Sequence, residues 1–265
     1  MGLKAALLAL AVAVSPGAYL AAHKQADGGF AESGGTAQPD LTAWATLGLA
    51  AAGQPPDRTT TSYLQRAVNG AGTTDVALIT LALAALHKSP PSQFGFIQPR
   101  SDGSIGKLVN STVWWVLALR ALDRSVPATT LRYLLEQQRP SGGWSWYPNG
   151  APDSNDTAAA IEALRAAGVT GAAVRRGLAY LRKLERKDGG FALIPGRASD
   201  SQSTAWAIQA FVAAGKKPPT AAFRFLGTMR RSDGSYRYSA RYAVTPVWVT
   251  AQVLPALARK AFPLR

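Results

Sequence analysis

The sequence predicts an all-α fold in which six helical hairpins close into an inner and an outer ring. Two observations support this: a short motif that recurs six times, and a charge-poor helix after each copy. In each copy an aromatic residue stands nine positions before a glycine, at Tyr19/Gly28, Tyr63/Gly72, Phe94/Gly103, Tyr133/Gly142, Tyr180/Gly189 and Phe225/Gly234. Successive copies lie 31 to 47 residues apart, a period typical of helix-hairpin arrays.

The stretch 133–161 contains the clearest copy. A helix ends near Gln138, and Pro140 with two glycines stops it. A loop rich in aromatic residues follows, and Asp153 or Ser154 is placed to cap a second helix. One copy therefore corresponds to one helical hairpin.

The same reading assigns the other elements in order. Outer helices are predicted near 16–25, 59–69, 127–138, 171–186 and 219–230, with little more than a turn at 92–98, where prolines crowd the chain. Inner helices are predicted near 40–52, 74–88, 110–122, 154–167, 201–214 and 245–261. The inner helices are almost free of charge after their first turn, and a helix that is apolar all round must be buried on all sides.

Residues 15–265 are predicted to form one closed domain. Residues 1–14 resemble a signal peptide, cleaved or retained as an anchor: a charged start, an apolar run from Ala5 to Val14 and an Ala-x-Ala site at 11–13. This predicts a secreted or surface-associated bacterial protein. The alternative is that residues 3–14 extend the first outer helix, although Ser15 and Pro16 favour a helix start. The chain has no cysteine, which excludes disulfides and thiolate sites.

The net charge of +14 is concentrated in one part of the chain. Residues 1–164 hold 11 basic and 11 acidic residues, whereas residues 165–265 hold 18 and 4. A basic C-terminal part favours an anionic partner such as a membrane lipid or wall polymer, or is simply a solvated face. Nucleic acid ranks last because no motif that reads it is present.

One copy of the motif carries a family resemblance. Tyr133, Leu134, Gln138, Gly142 and Trp144 occupy the positions of the QW motif of squalene and oxidosqualene cyclases. Two other copies keep the frame but replace the Gln and Trp, by Lys24 with Phe30 and by Glu185 with Phe191. The chain thus resembles the prenyltransferase and squalene-cyclase repeat superfamily, which implies an (α/α)6 toroid over residues 16–262. The resemblance is weak for function, because one fold serves many functions.

The chemistries of that superfamily can be compared with the residues present. Class II terpene cyclases protonate an alkene with the middle Asp of D-x-D-D-T-A, and here Asn155 stands at that position of the stretch 153–158. An amide has no proton of useful acidity. The prenyltransferase zinc site and the thioester domains both need a Cys. The sequence therefore predicts no catalytic residue, no metal, no cofactor, and no cyclase or prenyltransferase activity.

The candidate site is the mouth where the inner helices begin. Polar residues stand at or near these helix starts, and a tryptophan recurs one turn further in. The predicted ligand-binding set is Asp40, Trp44, Asp75, Asn110, Trp114, Asp153, Asp156, Asp200, Trp206 and Trp248. Each polar residue could instead be a helix cap worth ~1 kcal/mol, and each tryptophan could instead pack in the core.

Two functions remain open from the sequence. The first is an exported binding protein that holds an apolar, isoprenoid-like molecule in the central cavity. The alternative is an enzyme of the terpene-cyclase or polysaccharide-acting type that uses the acids Asp153, Asp156 and Asp200; a scaffold with a basic outer face is a third possibility. Paired carboxylates with a raised pKa would favour the enzyme. Carboxylates each bonded to their own helix start would favour the binding protein.

Overall fold

The computed structural model describes residues 14–264, so the predicted signal segment lies outside the described residues except for Val14. Over this range the elements follow in the order α1 (Pro16–Ala21), α2 (Pro39–Ala51), α3 (Arg58–Ala67), α4 (Thr73–Ala85), α5 (Ser92–Gly95), α6 (Val109–Ala121), α7 (Ala128–Glu136), α8 (Ser154–Ala166), α9 (Ala172–Lys183), β1 (Phe191–Ala192), β2 (Ser199–Asp200), α10 (Ser201–Ala213), α11 (Thr220–Met229) and α12 (Pro246–Leu257). None of the helices in this range is long and apolar enough to cross a membrane.

The helices alternate between two concentric layers, as predicted. Each even-numbered helix packs against the next even-numbered one, and α12 returns to pack against α2, which closes the inner ring. The closing contact is tight: a Cβ atom on Gly48 would lie 2.5 Å from the carbonyl oxygen of Ala251. The odd-numbered helices lie outside this ring, each against the inner helices beside it.

The inner helices are buried on nearly every side, which explains their lack of charge. In α2, α6 and α10 the buried positions run almost without interruption after the first turn. Three outer helices, α3, α7 and α9, instead alternate buried and exposed positions, because one side faces the inner ring and the other faces water.

A repeated hydrogen bond connects five of the six loops to their inner helices. In each case the backbone amide two residues after the motif glycine donates to a threonine hydroxyl in the first turns of the inner helix. These bonds are Phe30 to Thr42, Ile105 to Thr112, Trp144 to Thr157, Phe191 to Thr204 and Tyr236 to Thr250, at 2.8–2.9 Å. The threonines therefore hold the hairpins together and do not point into a site.

The motif glycine packs against the start of the next outer helix. Gly103 has a φ of +87°, and a Cβ atom there would lie 2.4 Å from the carbonyl oxygen of Thr129. In the last copy Gly234 takes the same role against Ser15, at 2.7 Å, which joins the end of the outer ring to its beginning. Gly72 is the exception, because it has a φ of −70° and directly precedes α4.

Three details differ from the sequence prediction. The two-residue strands β1 and β2 pair antiparallel inside a loop, so the fold is all-α with one small ribbon. Helix α9 ends at Lys183, which leaves Arg186 and Lys187 in the turn beyond it and off the predicted outer helix. Helix α12 ends at Leu257, and the chain beyond it folds back under the ring. The third outer helix, α5, is the shortest, as predicted.

Candidate functional site

The amino ends of the six inner helices meet at one face of the ring, the mouth, and enclose a cavity of about 420 Å³. This volume is within the range of small-molecule sites. Nine of the ten predicted residues line the cavity: Asp40, Trp44, Asp75, Asn110, Trp114, Asp153, Asp156, Trp206 and Trp248. Asp200 is not part of this lining, because its side chain is buried at the start of α10. That these residues bind a ligand stays a prediction.

The tryptophans both line the cavity and pack against one another. The ring centroid of Trp44 lies 5.2 Å from that of Trp114 and 5.7 Å from that of Trp206, in edge-to-face geometry. Trp248 lies further out, at 6.2 Å from Trp44. The indole of Trp206 also donates to Gln252, at 3.1 Å. These indole side chains fill the centre of the inner ring of helices and form an aromatic floor under the mouth.

A residue that the sequence did not single out closes the floor from below. Phe262 lies 6.1 Å from Trp44 and 6.0 Å from Trp206, measured between ring centroids. It belongs to the segment after α12, which was predicted to be helical as far as residue 261. No local pattern predicts that this segment enters the ring.

At the mouth, only two of the predicted capping residues act as N-caps. Asp153 accepts a hydrogen bond from the amide of Asp156 at 2.9 Å, and Asp200 accepts one from the amide of Ser203 at 2.7 Å. Asp40, Asp75 and Asn110 lie inside the first turns of α2, α4 and α6, where Gln38, Gly72 and Leu108 precede the helices without side-chain caps. Asp40 and Asp75 still accept hydrogen bonds from amides at these helix starts, from Leu41 at 2.7 Å and from Gly72 respectively, whereas Asn110 bonds Asp156 instead.

Asp153 and Asp156 form a pair of carboxyl groups in the cavity wall. Burial raises the pKa of Asp156 well above its ordinary value, and the charge and hydrogen bond of Asp153 raise it further. The amide of Asn110 donates to Asp156 at 2.8 Å and partly offsets this rise. Burial also raises the pKa of Asp153. Asp156 therefore holds its proton to a higher pH than an ordinary carboxyl group does.

The same cluster contains an unsatisfied polar atom. The side-chain oxygen of Asn110 is buried and has no hydrogen-bond partner among the described residues. Asn155, which stands at the position of the terpene-cyclase acid, also lines the cavity. A buried polar atom without a partner calls for one. The cluster is thus able to accept a hydrogen bond from a molecule in the cavity.

A second pair of acids lies on the opposite side of the mouth. Burial raises the pKa of Asp75, and the charge of Asp40 on the neighbouring helix raises it further. Helix α2 stands three places from α8 around the inner ring and α4 stands two, so Asp40 lies opposite the Asp153–Asp156 pair and Asp75 lies beside Asp40. Within residues 14–264 no three acidic or histidine side chains are grouped as a metal site.

Among the cavity residues that were not predicted as site residues, Trp146 and Gln252 stand out. Trp146, in the loop before α8, lines the mouth and is 48% exposed. Gln252, on the second turn of α12, reaches the cavity and holds the indole of Trp206. The sequence signal for Trp146 is its position in the loop before an inner helix. Because the inner helices begin at the mouth, such a loop lies at the mouth.

No family model and no curated protein matches this sequence. Solved structures do match. The type II terpene cyclase MstE from Scytonema, solved with geranylgeranyl dihydroxybenzoate, has a TM-score of 0.67 at 16% identity, covering 92% of this chain and 95% of that one. The fold is an (α/α)6 toroid. As a toroid the chain also matches ent-copalyl diphosphate synthase from Streptomyces platensis, with a TM-score of 0.60 at 20% identity over 83% of this chain and half of that one.

A third toroid has a different chemistry. A protein described as a glycosidase matches with a TM-score of 0.63 at 13% identity, over 92% of this chain and 94% of that one. Identities this low establish the fold and leave the function open. The resemblance seen in the QW motif is thereby confirmed at the level of the fold. Terpene cyclases and a glycosidase, which are enzymes, are thus among the structural neighbours of this toroid.

Proposed function

We propose that this toroid is an enzyme that protonates an apolar, isoprenoid-like substrate, with Asp156 as the proton donor. The observation that carries this proposal is the Asp153–Asp156 pair: two buried carboxyl groups with raised pKa values in the wall of a cavity with an aromatic floor. A carboxylic acid kept protonated at neutral pH is what general acid catalysis requires. The binding protein expected from the sequence has no such need for a protonated pair.

The geometry suggests how the residues divide the work. Asp156 gives its proton to one carbon of a substrate C=C bond, whose π electrons form the new C–H bond and leave a cation on the adjacent carbon. Attack by a second C=C bond closes a ring, and loss of a proton from the final cation to the Asp156 carboxylate restores the enzyme. The product is an isomer of the substrate. The faces of Trp44 and Trp206 stabilise positive charge by cation–π attraction.

This proposal revises the expectation based on Asn155. An amide at position 155 cannot donate a proton, but the next residue is a buried acid in direct contact with Asp153. Asn110 positions it through the 2.8 Å hydrogen bond to one carboxyl oxygen. The predicted lack of squalene and prenyl-diphosphate cyclisation therefore becomes the point to test.

A second candidate is glycoside hydrolysis, and the Asp40–Asp75 pair favours it. Glycosidases place two carboxyl groups on either side of the bond that they cleave. Asp75, with its raised pKa, would serve as the acid. The likeness to a glycosidase supports this candidate as much as the likeness to a terpene cyclase supports the first one.

One experiment separates the three functions. The purified full chain is incubated with a series of linear isoprenoid alcohols and diphosphates, and with a panel of oligosaccharides, and the products are identified by mass spectrometry. We expect a cyclised isoprenoid isomer that is lost in Asp156→Asn and retained in Asp75→Asn. Sugar release that is lost in Asp75→Asn would establish the glycosidase instead. Isoprenoid binding without any conversion would establish the binding protein.

A further inference from the structure

Three loops that lead into α8, α10 and α12 form one continuous side of the mouth. We call the segments 146–149, 193–198 and 237–245 the mouth rim. Each one hydrogen-bonds the start of the preceding inner helix through a backbone carbonyl: Trp146 to the amide of Asn110 at 3.2 Å, Leu193 to Ser154 at 2.9 Å, and Tyr238 to Ser201 at 2.7 Å. These bonds place the three segments side by side.

The mouth rim exposes large apolar side chains. Trp146 and Tyr147 are 48% and 55% exposed, and Tyr242 and Val244 are 49% and 54% exposed. The residues from Ala240 to Thr245 are all exposed. Single exposed apolar residues are ordinary, but a continuous group on one side of a cavity marks an interaction surface.

The charge of the mouth rim has one sign. Its charged residues are Arg197, Arg237 and Arg241, and its three segments contain no Asp or Glu. The guanidinium of Arg241 lies over the ring of Tyr242, at 5.3 Å from the centroid. Three acids next to the rim, Glu32, Asp153 and Asp200, accept hydrogen bonds from amides at helix starts. The rim is thus aromatic, apolar and cationic.

We propose that the mouth rim docks on an anionic lipid bilayer. Tryptophan and tyrosine favour the membrane–water interface, because their rings are apolar and one end is polar. Arginines add attraction to acidic headgroups, and this attraction is screened by salt. Docking would turn the cavity toward the lipid, so that an apolar substrate need not cross water. The docking itself does not depend on the proposed reaction.

Helix α9 belongs to the basic C-terminal part that the sequence favoured for such a contact, but it is less suited to it. On α9 the guanidinium of Arg182 bonds Glu185 at 3.1 Å and lies over the ring of Phe211 at 4.5 Å. The basic residues of α9 stand on the outer wall of the toroid, outside the segments that carry the exposed aromatic side chains. The two surfaces can therefore be separated by substitution.

The first test measures binding of the full chain to vesicles by co-sedimentation, with phosphatidylglycerol in phosphatidylcholine or with phosphatidylcholine alone. An apolar variant carries Trp146→Ser, Tyr147→Ser, Tyr242→Ser and Val244→Ser, and a charge variant carries Arg197→Glu and Arg241→Glu. We expect each variant to bind acidic vesicles about tenfold less tightly or worse, and the parent to release at high salt. Circular dichroism checks that the variants keep the parent's fold.

Two matched controls use surfaces outside the mouth rim. Phe96 is 83% exposed and stands beside the groove between α5 and the carboxyl end of α6, so Phe96→Ser should leave binding unchanged. Arg182→Glu with Lys183→Glu reverses the same amount of charge on α9 and should have less effect than the charge variant. An equal loss in this control would move the contact to the outer wall and overturn the proposal.

A second readout isolates the mouth rim. Residues 1–13 are identical in the parent and in every variant, so a difference between these proteins comes from the substituted rim residues. Vesicles with brominated acyl chains quench nearby tryptophan fluorescence, and Trp146 is the exposed tryptophan of the chain. We expect quenching in the parent that is absent in Trp146→Phe. Equal quenching in both proteins, with unchanged binding by the apolar variant, would refute lipid docking. Self-association of the parent that the apolar variant loses, without vesicle binding, would identify a protein interface instead.

Discussion

The backbone amide of Phe262 donates to the side chain of Glu162 at 2.6 Å, across 100 positions of the chain. Glu162 lies in the middle of α8 and is fully buried. Burial raises its pKa well above the ordinary value, although the Phe262 bond partly offsets this. Burial of this kind favours the neutral form of the carboxyl group. The contact fixes the segment that closes the aromatic floor.

Replacement of Glu162 should separate the hydrogen bond from the charge. Glu162→Gln keeps an acceptor for the Phe262 amide and has no charge to bury, so the free energy of unfolding at pH 7 should be unchanged or higher. Glu162→Ala leaves that amide unpaired beside a cavity and should cost about 2–5 kcal/mol. Urea denaturation measures both. Equal stability of the two variants would mean that the bond contributes nothing.

Asp200 should make stability depend on pH. Burial raises the pKa of Asp200 from 3.8 to about 6, so the folded state binds a proton more tightly than the unfolded state. Its contribution is complete below about pH 4 and disappears as the pH rises through about 6, at a cost of at most about 3 kcal/mol. Asp200→Asn should remove this dependence and keep the cap, since Asn caps as well as Asp. Unfolding free energies at several pH values provide the check.

Asp102 supplies the control of opposite sign. Hydrogen bonds from the hydroxyl and the amide of Ser104 lower the pKa of this exposed carboxyl. Its contribution is therefore present above the unfolded pKa and is lost as the pH falls through the folded value. Asp102→Asn should therefore lower the free energy of unfolding at neutral pH, and the difference from the parent should disappear as the pH falls through the folded pKa. A shared pH profile for the two variants would contradict both assignments.

A pair of glycine substitutions tests the register of the motif. Gly103 and Gly53 both have positive φ, which costs about 1–2 kcal/mol for an alanine. A Cβ atom on Gly53 meets nothing within 4 Å, whereas one on Gly103 meets the Thr129 carbonyl at 2.4 Å. We expect Gly103→Ala to lower the melting temperature clearly more than Gly53→Ala does. Similar shifts would show that the packing against the next outer helix is loose.

The aromatic floor can be tested with two tryptophans of similar burial. Trp206 lines the cavity, whereas Trp115 on α6 faces outward, toward the groove beside α5. Removal of a buried aromatic contact is worth roughly 1.5–3 kcal/mol. Trp206→Ala should therefore lower the affinity for an isoprenoid alcohol by about tenfold to a hundredfold, as measured by calorimetry. Trp115→Ala should lower stability and leave that affinity unchanged. Equal affinities in the two variants would exclude the floor as the binding surface.

Local patterns were sufficient to predict the twelve helices and the mouth, because the motif repeats in register and the inner helices are apolar throughout. They identified the caps only in part: Ser15, Asp153 and Asp200 cap their helices as predicted, whereas the other predicted residues lie within the first turn. A shift of one or two residues decides whether an acid such as Asp75 caps a helix or lies within its first turn. Nor could they predict the bond between Asn110 and Asp156, which joins residues 46 positions apart on neighbouring helices. Phe262 was missed for the same reason.

The closure of Gly234 onto Ser15 and of α12 onto α2 fixes how this ring can change during evolution. An open solenoid can gain or lose a repeat, because each repeat meets only its neighbours and end caps cover the rest. In a closed ring, duplication or deletion of one hairpin would leave an overlap or a gap. We therefore expect the number of hairpins to stay at six and insertions and deletions to be confined to the loops. In return, the first and last hairpins are neighbours, so a circularly permuted chain that begins at another loop should reach the same fold.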